Sequence, residues 1–168
     1  MSLSMYDVSV PVLVRGLKNL SHLLDKGLAS AEARKIDPSV LVNARLAPDM
    51  HPLSRQVQIA SDSAKGAASR LAGVETPSWP DTETTFADLQ ARIKKTIDYL
   101  EGFKADQING AEDRTITMNL GGGEVGFTGQ EFLMGFVLPN FFFHVTTAHD
   151  ILRHNGVEIG KRDYLGAA

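Results

Sequence analysis

The sequence predicts an all-α protein, a four-helix bundle with a small β-hairpin before the last long helix. Four long stretches repeat apolar residues at steps of three and four, which is the helical period. A stretch near residues 114–127 alternates polar and apolar side chains, as a strand does. The length of 168 residues fits one domain, residues 1–168. Long amphipathic helices joined by two longer connections are typical of bundles.

The first helix is predicted to run from near Ser4 to about Asp25 or Lys26, with Gly27 ending it. Pro11 lies one to two turns inside this helix, so we expect a kink or an early irregular turn there. A cap residue followed by proline, Asp37-Pro38, then predicts a short helical turn.

The second long helix is predicted over residues 52–71, where alanines form much of the apolar stripe and allow a neighbouring helix to approach closely. Gly73 ends it, and the prolines of residues 76–81 predict an extended linker. The third long helix is predicted from Thr84 or Thr85 to about Phe103.

The β-hairpin is predicted over residues 114–127, with its turn at Gly121–Gly123. The glycine run lacks the Gly-Lys-Ser/Thr sequence and the βαβ context of a phosphate loop, so we assign it no nucleotide-binding role. The fourth long helix is predicted from Thr128, with Glu131 at capping-box spacing, to Asn155-Gly156. The tail after it is expected to pack back as an extended segment or a short turn.

Composition excludes several classes of function. The chain carries 17 Lys+Arg and 20 Asp+Glu, a formal net charge of −3, which gives no reason to expect nucleic acid or an anionic membrane as partner. It has no cysteine, so disulfides, thiolate metal sites and cysteine nucleophiles are excluded. The most apolar window, residues 132–143, is far shorter than the ~20 residues of a membrane span. We therefore expect a cytoplasmic protein.

One polar cluster stands out on the fourth helix. A helical wheel places Asn140 and His144 on one inward face, and Gln56 borders the apolar stripe of the second helix. The residues that define that inward face are Phe132, Phe136, Phe143, Thr147 and Ile151. A metal or catalytic centre inside the bundle is one interpretation. A hydrogen-bonded core network that fixes helix register is the other, because unpaired buried polar groups are costly.

The other histidines give weaker signals. His149 lies about 140° from His144 on the wheel, assuming 100° per residue, so the two do not share a face. His51 stands at the mouth of the second helix, either as a further ligand or as a surface or cap residue. No spacing of serine, histidine and aspartate indicates a catalytic triad.

Two separated motifs carry a resemblance to a known family. The first is residues 143–157, followed by Gly160-Lys161 and residues 163–165; the second is residues 48–50 before residues 55–58. Together they resemble a bacterial family of unknown function that is grouped with the DinB/YfiT-like superfamily of metalloenzymes. The similarity extends from Met5 to Leu165.

The resemblance implies an up-down-down-up four-helix bundle that is often a homodimer. It also implies a divalent ion, nickel or zinc, held in such relatives by one histidine of the second helix and two of the fourth. Carried onto this sequence, those positions fall near Gln56 and on Asn140 and His144, so one histidine of three is present. Neutral amides are poor ligands for such ions. The resemblance therefore implies a retained pocket, with at most a weakly held metal.

Two classes of function remain open. In the first, the protein is a small-molecule enzyme or binder, and His144 is a ligand or a general base, because the pKa of histidine lies near neutrality. In the second, it is a non-enzymatic structural or interaction protein in which the polar cluster only fixes helix packing. A homodimer is also expected from an apolar surplus on the first and fourth helices.

Overall fold

The computed structural model describes residues 3–166, and within them the chain is mostly helical, with one two-stranded antiparallel sheet. The predicted hairpin before the last long helix is confirmed. The elements are α1 (Val10–Ala33), α2 (Pro38–Val42), α3 (Leu53–Ala72), α4 (Phe86–Glu101), α5 (Ala105–Ile108), β1 (Ile116–Asn119), β2 (Glu124–Phe127), α6 (Gly129–Glu131), a π-helical segment (Phe132–Val137), α7 (Leu138–His154) and α8 (Lys161–Leu165). Residue 117 pairs with residue 126 in the hairpin.

The boundaries predicted for α1 are wrong at both ends. The helix begins at Val10, so Pro11 lies in its first turn, where a missing N–H costs nothing. Gly27 does not end the helix, which continues to Ala33. A Cβ at Gly27 would stand 2.9 Å from Cδ2 of Leu152, so this glycine permits close packing against α7.

Local signals for α3, α4 and α6 are confirmed. Gly73 adopts φ 70° after α3, the left-handed conformation that glycine adopts at little cost. Thr85 forms a capping box with Asp88 at the start of α4. Thr128 forms another with Glu131 at the start of α6, immediately before the π segment.

Buried side chains from α1, α3, α4 and α7 form the core, which is dominated by leucine and alanine. Helices α1 and α7 run in the same direction, because Gly16 lies against Phe141 and Gly27 against Leu152. Both glycines let large side chains of α7 sit directly on the α1 backbone.

A buried arginine of α4 fixes the linker between α3 and α4. Arg92 has a side chain only 2% exposed, and its guanidinium lies 3.0 Å from a carboxylate oxygen of each of Asp62, Asp81 and Glu83. Asp62 belongs to α3 and the other two to the linker. The extended linker is thereby held against both helices.

Within residues 3–166, no helix combines the length and apolar character that crossing a bilayer requires.

Candidate functional site

The predicted cluster lies between α3 and α7, and the structure divides it into two pairs. His144 and Gln56 form the first pair, with Nδ1 of the imidazole 2.7 Å from Oε1 of the amide. The amide nitrogen of Gln56 donates to the carbonyl oxygen of His51 over 2.9 Å. Both side chains are buried. Because Oε1 can only accept, Nδ1 of His144 carries the proton.

The environment of His144 favours the neutral imidazole. Burial, with smaller contributions from the charges of His51 and Arg55, lowers the pKa of His144 to about 4. At neutral pH the ring is therefore uncharged, with its proton on Nδ1 and a lone pair on Nε2. No residue in the described range 3–166 forms a hydrogen bond with Nε2.

Asn140 and Ser63 form the second pair. The amide nitrogen of Asn140 donates to Oγ of Ser63 over 2.7 Å, and within residues 3–166 no hydrogen bond joins Asn140 to Gln56. Ser63 follows Gln56 by seven residues on α3, whereas Asn140 precedes His144 by four on α7. Helices α3 and α7 are therefore antiparallel.

The predicted inward face of the last helix is wrong in one respect. Phe143 is 57% exposed, and Phe141, absent from that predicted face, is fully buried. The cause is the π segment, whose i→i+5 hydrogen bonds add about one residue to each turn. A wheel continued at 100° per residue from Phe132 therefore assigns the wrong phase to α7. Asn140 consequently lies half-buried at the border of the buried face, whereas His144 stays within it.

A groove of about 560 Å³ opens beside the Asn140–Ser63 pair. Its walls come from α3, the hairpin, the π segment and the start of α7. The volume lies in the range of small-molecule pockets, and π-helical segments occur frequently at functional sites. The lining residues are Arg55, Ile59, Asp62, Ser63, Arg70, Met118, Asn119, Leu120, Phe132, Phe136, Val137 and Asn140.

Ser63 and Arg70 are two polar groove residues that the sequence analysis did not single out. The sequence does contain a signal for them, because Ser63 and Arg70 belong to a helical stripe of five residues spaced three and four apart. The stripe, which we call the α3 stripe, is Gln56, Ile59, Ser63, Gly66 and Arg70. It lies beside the predicted alanine stripe and faces the groove and α7.

The side chains of Gln56, Asn140 and His144 do not form a site that fits a nickel or zinc ion. Within residues 3–166, no three histidine, cysteine, aspartate or glutamate side chains converge closely enough to hold one. The Gln56 oxygen already accepts from His144, and amide oxygens are weak ligands for such ions. The positive charge of Arg55 also acts on His144 and opposes a nearby cation. Gln56, Asn140 and His144 therefore lack the ligands of a tightly held nickel or zinc ion.

Comparison with known proteins agrees with the resemblance inferred from the motifs. A solved structure of a DinB family member from Shewanella denitrificans is 46% identical, covering 97% of this chain and 92% of that chain, with a TM-score of 0.87. No curated protein matches the chain.

The family model described as "Domain of unknown function (DUF1993)" matches residues 5–165, which is nearly the whole chain. The match includes α3, the hairpin, the π segment and α7, so every wall of the groove lies within it. The protein belongs to the DUF1993 family.

Proposed function

We propose that this protein binds a small organic molecule, without a tightly held metal, in the groove between α3, the hairpin and the π segment. The observation that carries the proposal is the Asn140–Ser63 pair, which sits in the wall of a groove large enough for such a molecule. Asn140 is the predicted site residue that lines the groove. The polar pair would orient a ligand, and the surrounding apolar side chains would bury it.

The experiment is an NMR titration of the ¹⁵N-labelled protein with a set of neutral and charged organic fragments. Shifts confined to groove residues such as Ile59, Ser63 and Val137 support the proposal. A matched variant, Ile59→Trp, fills the groove and should abolish those shifts while leaving the remaining spectrum folded. If no fragment in the set shifts the groove residues, the proposal is overturned.

A second candidate function, fixing helix packing, is favoured for the His144–Gln56 pair. Every polar atom of Gln56 is used: Oε1 accepts from His144, and Nε2 donates to His51. Such a pair ties α7 to the start of α3 and sets their register. Its removal should lower stability without weakening ligand binding in the groove, which separates this role from binding.

We further propose that the chain is a single domain whose long helices follow the up-down-down-up order. Three helix pairs support this order: α1 and α7 are parallel, α3 and α7 are antiparallel, and α3 and α4 are parallel. The last pairing follows from Arg92 meeting Asp62 while the hydroxyl of Tyr99 lies 2.9 Å from Oγ of Ser69.

A homodimer is also proposed. Support comes from two exposed apolar side chains, Phe143 at 57% and Met134 at 54% exposure, on the last long helical region. Sedimentation at micromolar concentration should show a species of twice 18.2 kDa. A Phe143→Ser variant should shift the equilibrium toward the monomer. An exclusively monomeric wild type would overturn the dimer.

A further inference from the structure

We infer that the ligand of the groove is an amphiphilic anion, with a carboxylate or phosphate head bound by Arg70 and an apolar body lying against the phenylalanines of the π segment. The inference rests on the proposed small-molecule function and adds the chemical class of the ligand.

The charges of the groove leave one cation without a partner. Asp62 is engaged by Lys65 at 2.8 Å and by Arg92 at 3.0 Å, and Arg55 pairs with Asp81. Arg70, which is half-buried, forms neither an ion pair nor a side-chain hydrogen bond with any residue in the range 3–166. The groove therefore presents an uncompensated positive charge beside apolar walls, which favours an anion.

Gly66 places that charge inside the groove. Side chains of a helix point toward its N-terminus, so Arg70 folds back over the residue four positions earlier. At that position stands Gly66, and a Cβ there would overlap Nη1 of Arg70. The missing side chain thus allows the guanidinium to lie flat on α3. The guanidinium then lies at a distance of about one helical turn from Ser63.

Ser63 supplies a second donor to the head group. Its Oγ accepts from Asn140, and within the described part of the chain its own hydroxyl proton has no acceptor. The hydroxyl can therefore donate a hydrogen bond to one carboxylate or phosphate oxygen while another oxygen accepts from the guanidinium. Arginine is suited to this contact because its planar donors match the geometry of both head groups.

The apolar half of the groove lies on the π segment. The rings of Phe132 and Phe136 stack with centroids 6.1 Å apart, and Phe127 of the hairpin packs against Phe136 at 6.0 Å. Met118 and Leu120 of the hairpin region face the same space. An apolar ligand body placed there would be covered on two sides, whereas a small inorganic anion would leave this wall unused.

The test compares three eight-carbon probes by NMR titration and calorimetry: octanoate, octyl phosphate and octanol. At least one of the two anions should bind at least about tenfold more tightly than octanol, because a hydrogen bond to a charged group is worth a factor of that size. The tighter of the two anions identifies the head group. Octanol binding as tightly as both anions, with shifts in the groove, would overturn the anionic class and leave the small-molecule function standing. If none of the three probes, nor any organic fragment, shifts the groove residues, both proposals are overturned.

Three variants locate the head group. Arg70→Gln should weaken anion binding about tenfold and leave octanol binding unchanged. Gly66→Ala should also weaken anion binding, since the new methyl group displaces the guanidinium while the helix remains folded. Arg162→Gln, an exposed arginine of α8 outside the groove, is the matched control and should bind as the wild type does. Unchanged anion binding by Arg70→Gln would overturn the assignment of the head group to Arg70.

Discussion

The imidazole of His144 donates through Nδ1 to Oε1 of Gln56 across 2.7 Å, and a second bond of Gln56 fixes the direction of this contact. Because the Gln56 amide nitrogen donates to the His51 carbonyl, its oxygen must face the imidazole. One amide therefore sets both the tautomer of His144 and the approach of α7 to the start of α3.

Removing the imidazole should cost stability. His144→Ala leaves the Gln56 oxygen unpaired in a buried position and opens a void, so the free energy of unfolding should fall by roughly 1–3 kcal/mol. Urea unfolding measures this change, and His154→Ala, at an exposed position, serves as the control.

Nickel or zinc should not move the midpoint of urea unfolding of the wild type. Metal that stabilises the wild type but not His144→Ala would contradict the metal-free site, since a ligand stabilises the state that binds it.

Stability should depend on pH through the same residue. The folded pKa of His144, about 4, lies below the ordinary value of 6.5, so the unfolded chain binds its proton first as the pH falls. The stabilisation is complete above pH 6.5 and is lost between about pH 6.5 and 4, to a total of roughly 1–3 kcal/mol. His144→Gln should flatten this slope. A wild-type stability that is constant over that range would be inconsistent with a buried neutral imidazole.

Below about pH 4, the carboxylate of Asp163 makes the free energy of unfolding depend on pH. The hydrogen bond from Lys26, followed by the backbone N–H of Gly160, lowers the pKa of Asp163 to about 2. Its stabilisation is present above pH 3.8 and declines as the pH falls toward 2. Asp163→Asn should remove this lower phase and leave the His144 phase intact, which unfolding curves at pH 2–7 would separate.

Gln56→Glu should reverse the direction in which the surroundings of His144 shift its pKa. A carboxylate in contact with the ring favours the imidazolium, so the pKa of His144 should rise. The loss of stability between pH 6.5 and 4 should then disappear or reverse. NMR titration of the ring protons measures this pKa directly, and Gln130→Glu, at an exposed position of α6, provides a charge-matched control. A pKa that stays near 4 in Gln56→Glu would argue against the contact.

Two glycine-to-alanine substitutions should have opposite effects on stability. At Gly16 the new Cβ would stand 2.5 Å from Cε1 of Phe141, a fully buried ring, so Gly16→Ala should destabilise by about 1–3 kcal/mol. At Gly66 the new methyl group meets only the movable end of Arg70. Gly66→Ala should therefore stabilise by up to about 1 kcal/mol through helix propensity. Thermal unfolding of both variants checks the pair, and equal effects would be evidence against the packing described.

The arginine of α4 should be needed to hold the linker. Arg92→Met removes the partner of three carboxylates and should destabilise by on the order of 2–3 kcal/mol, less than for a fully buried pair because Asp62 and Asp81 remain partly hydrated. Limited proteolysis should then cut near Trp79. Lys94→Met, which removes an exposed ion pair, is the control and should change little. Resistance of the linker in Arg92→Met would show that other contacts hold it.

Much of the secondary structure could be predicted because its signals are local. Thr85, Thr128 and Gly73 act within one turn of chain, and the alternation of the hairpin is read over a few residues. The prediction that Gly27 ends α1 is wrong for the opposite reason. Its role depends on Leu152, which is distant in sequence, so no local rule separates this close-packing glycine from one that ends a helix.

By itself, the sequence determined the helical elements, the hairpin and the residues Gln56, Asn140 and His144 as polar side chains near a helix interface. Only the tertiary structure decided their partners. The π segment rotates α7 relative to a regular helix, which pairs Asn140 with Ser63 and exposes Phe143. The groove, with Arg70 folded over Gly66 inside it, exists only where α3, the hairpin and the π segment meet. The physical reason is that hydrophobic periodicity acts over neighbouring turns, whereas hydrogen-bond partners and cavities depend on the phase and approach of distant helices.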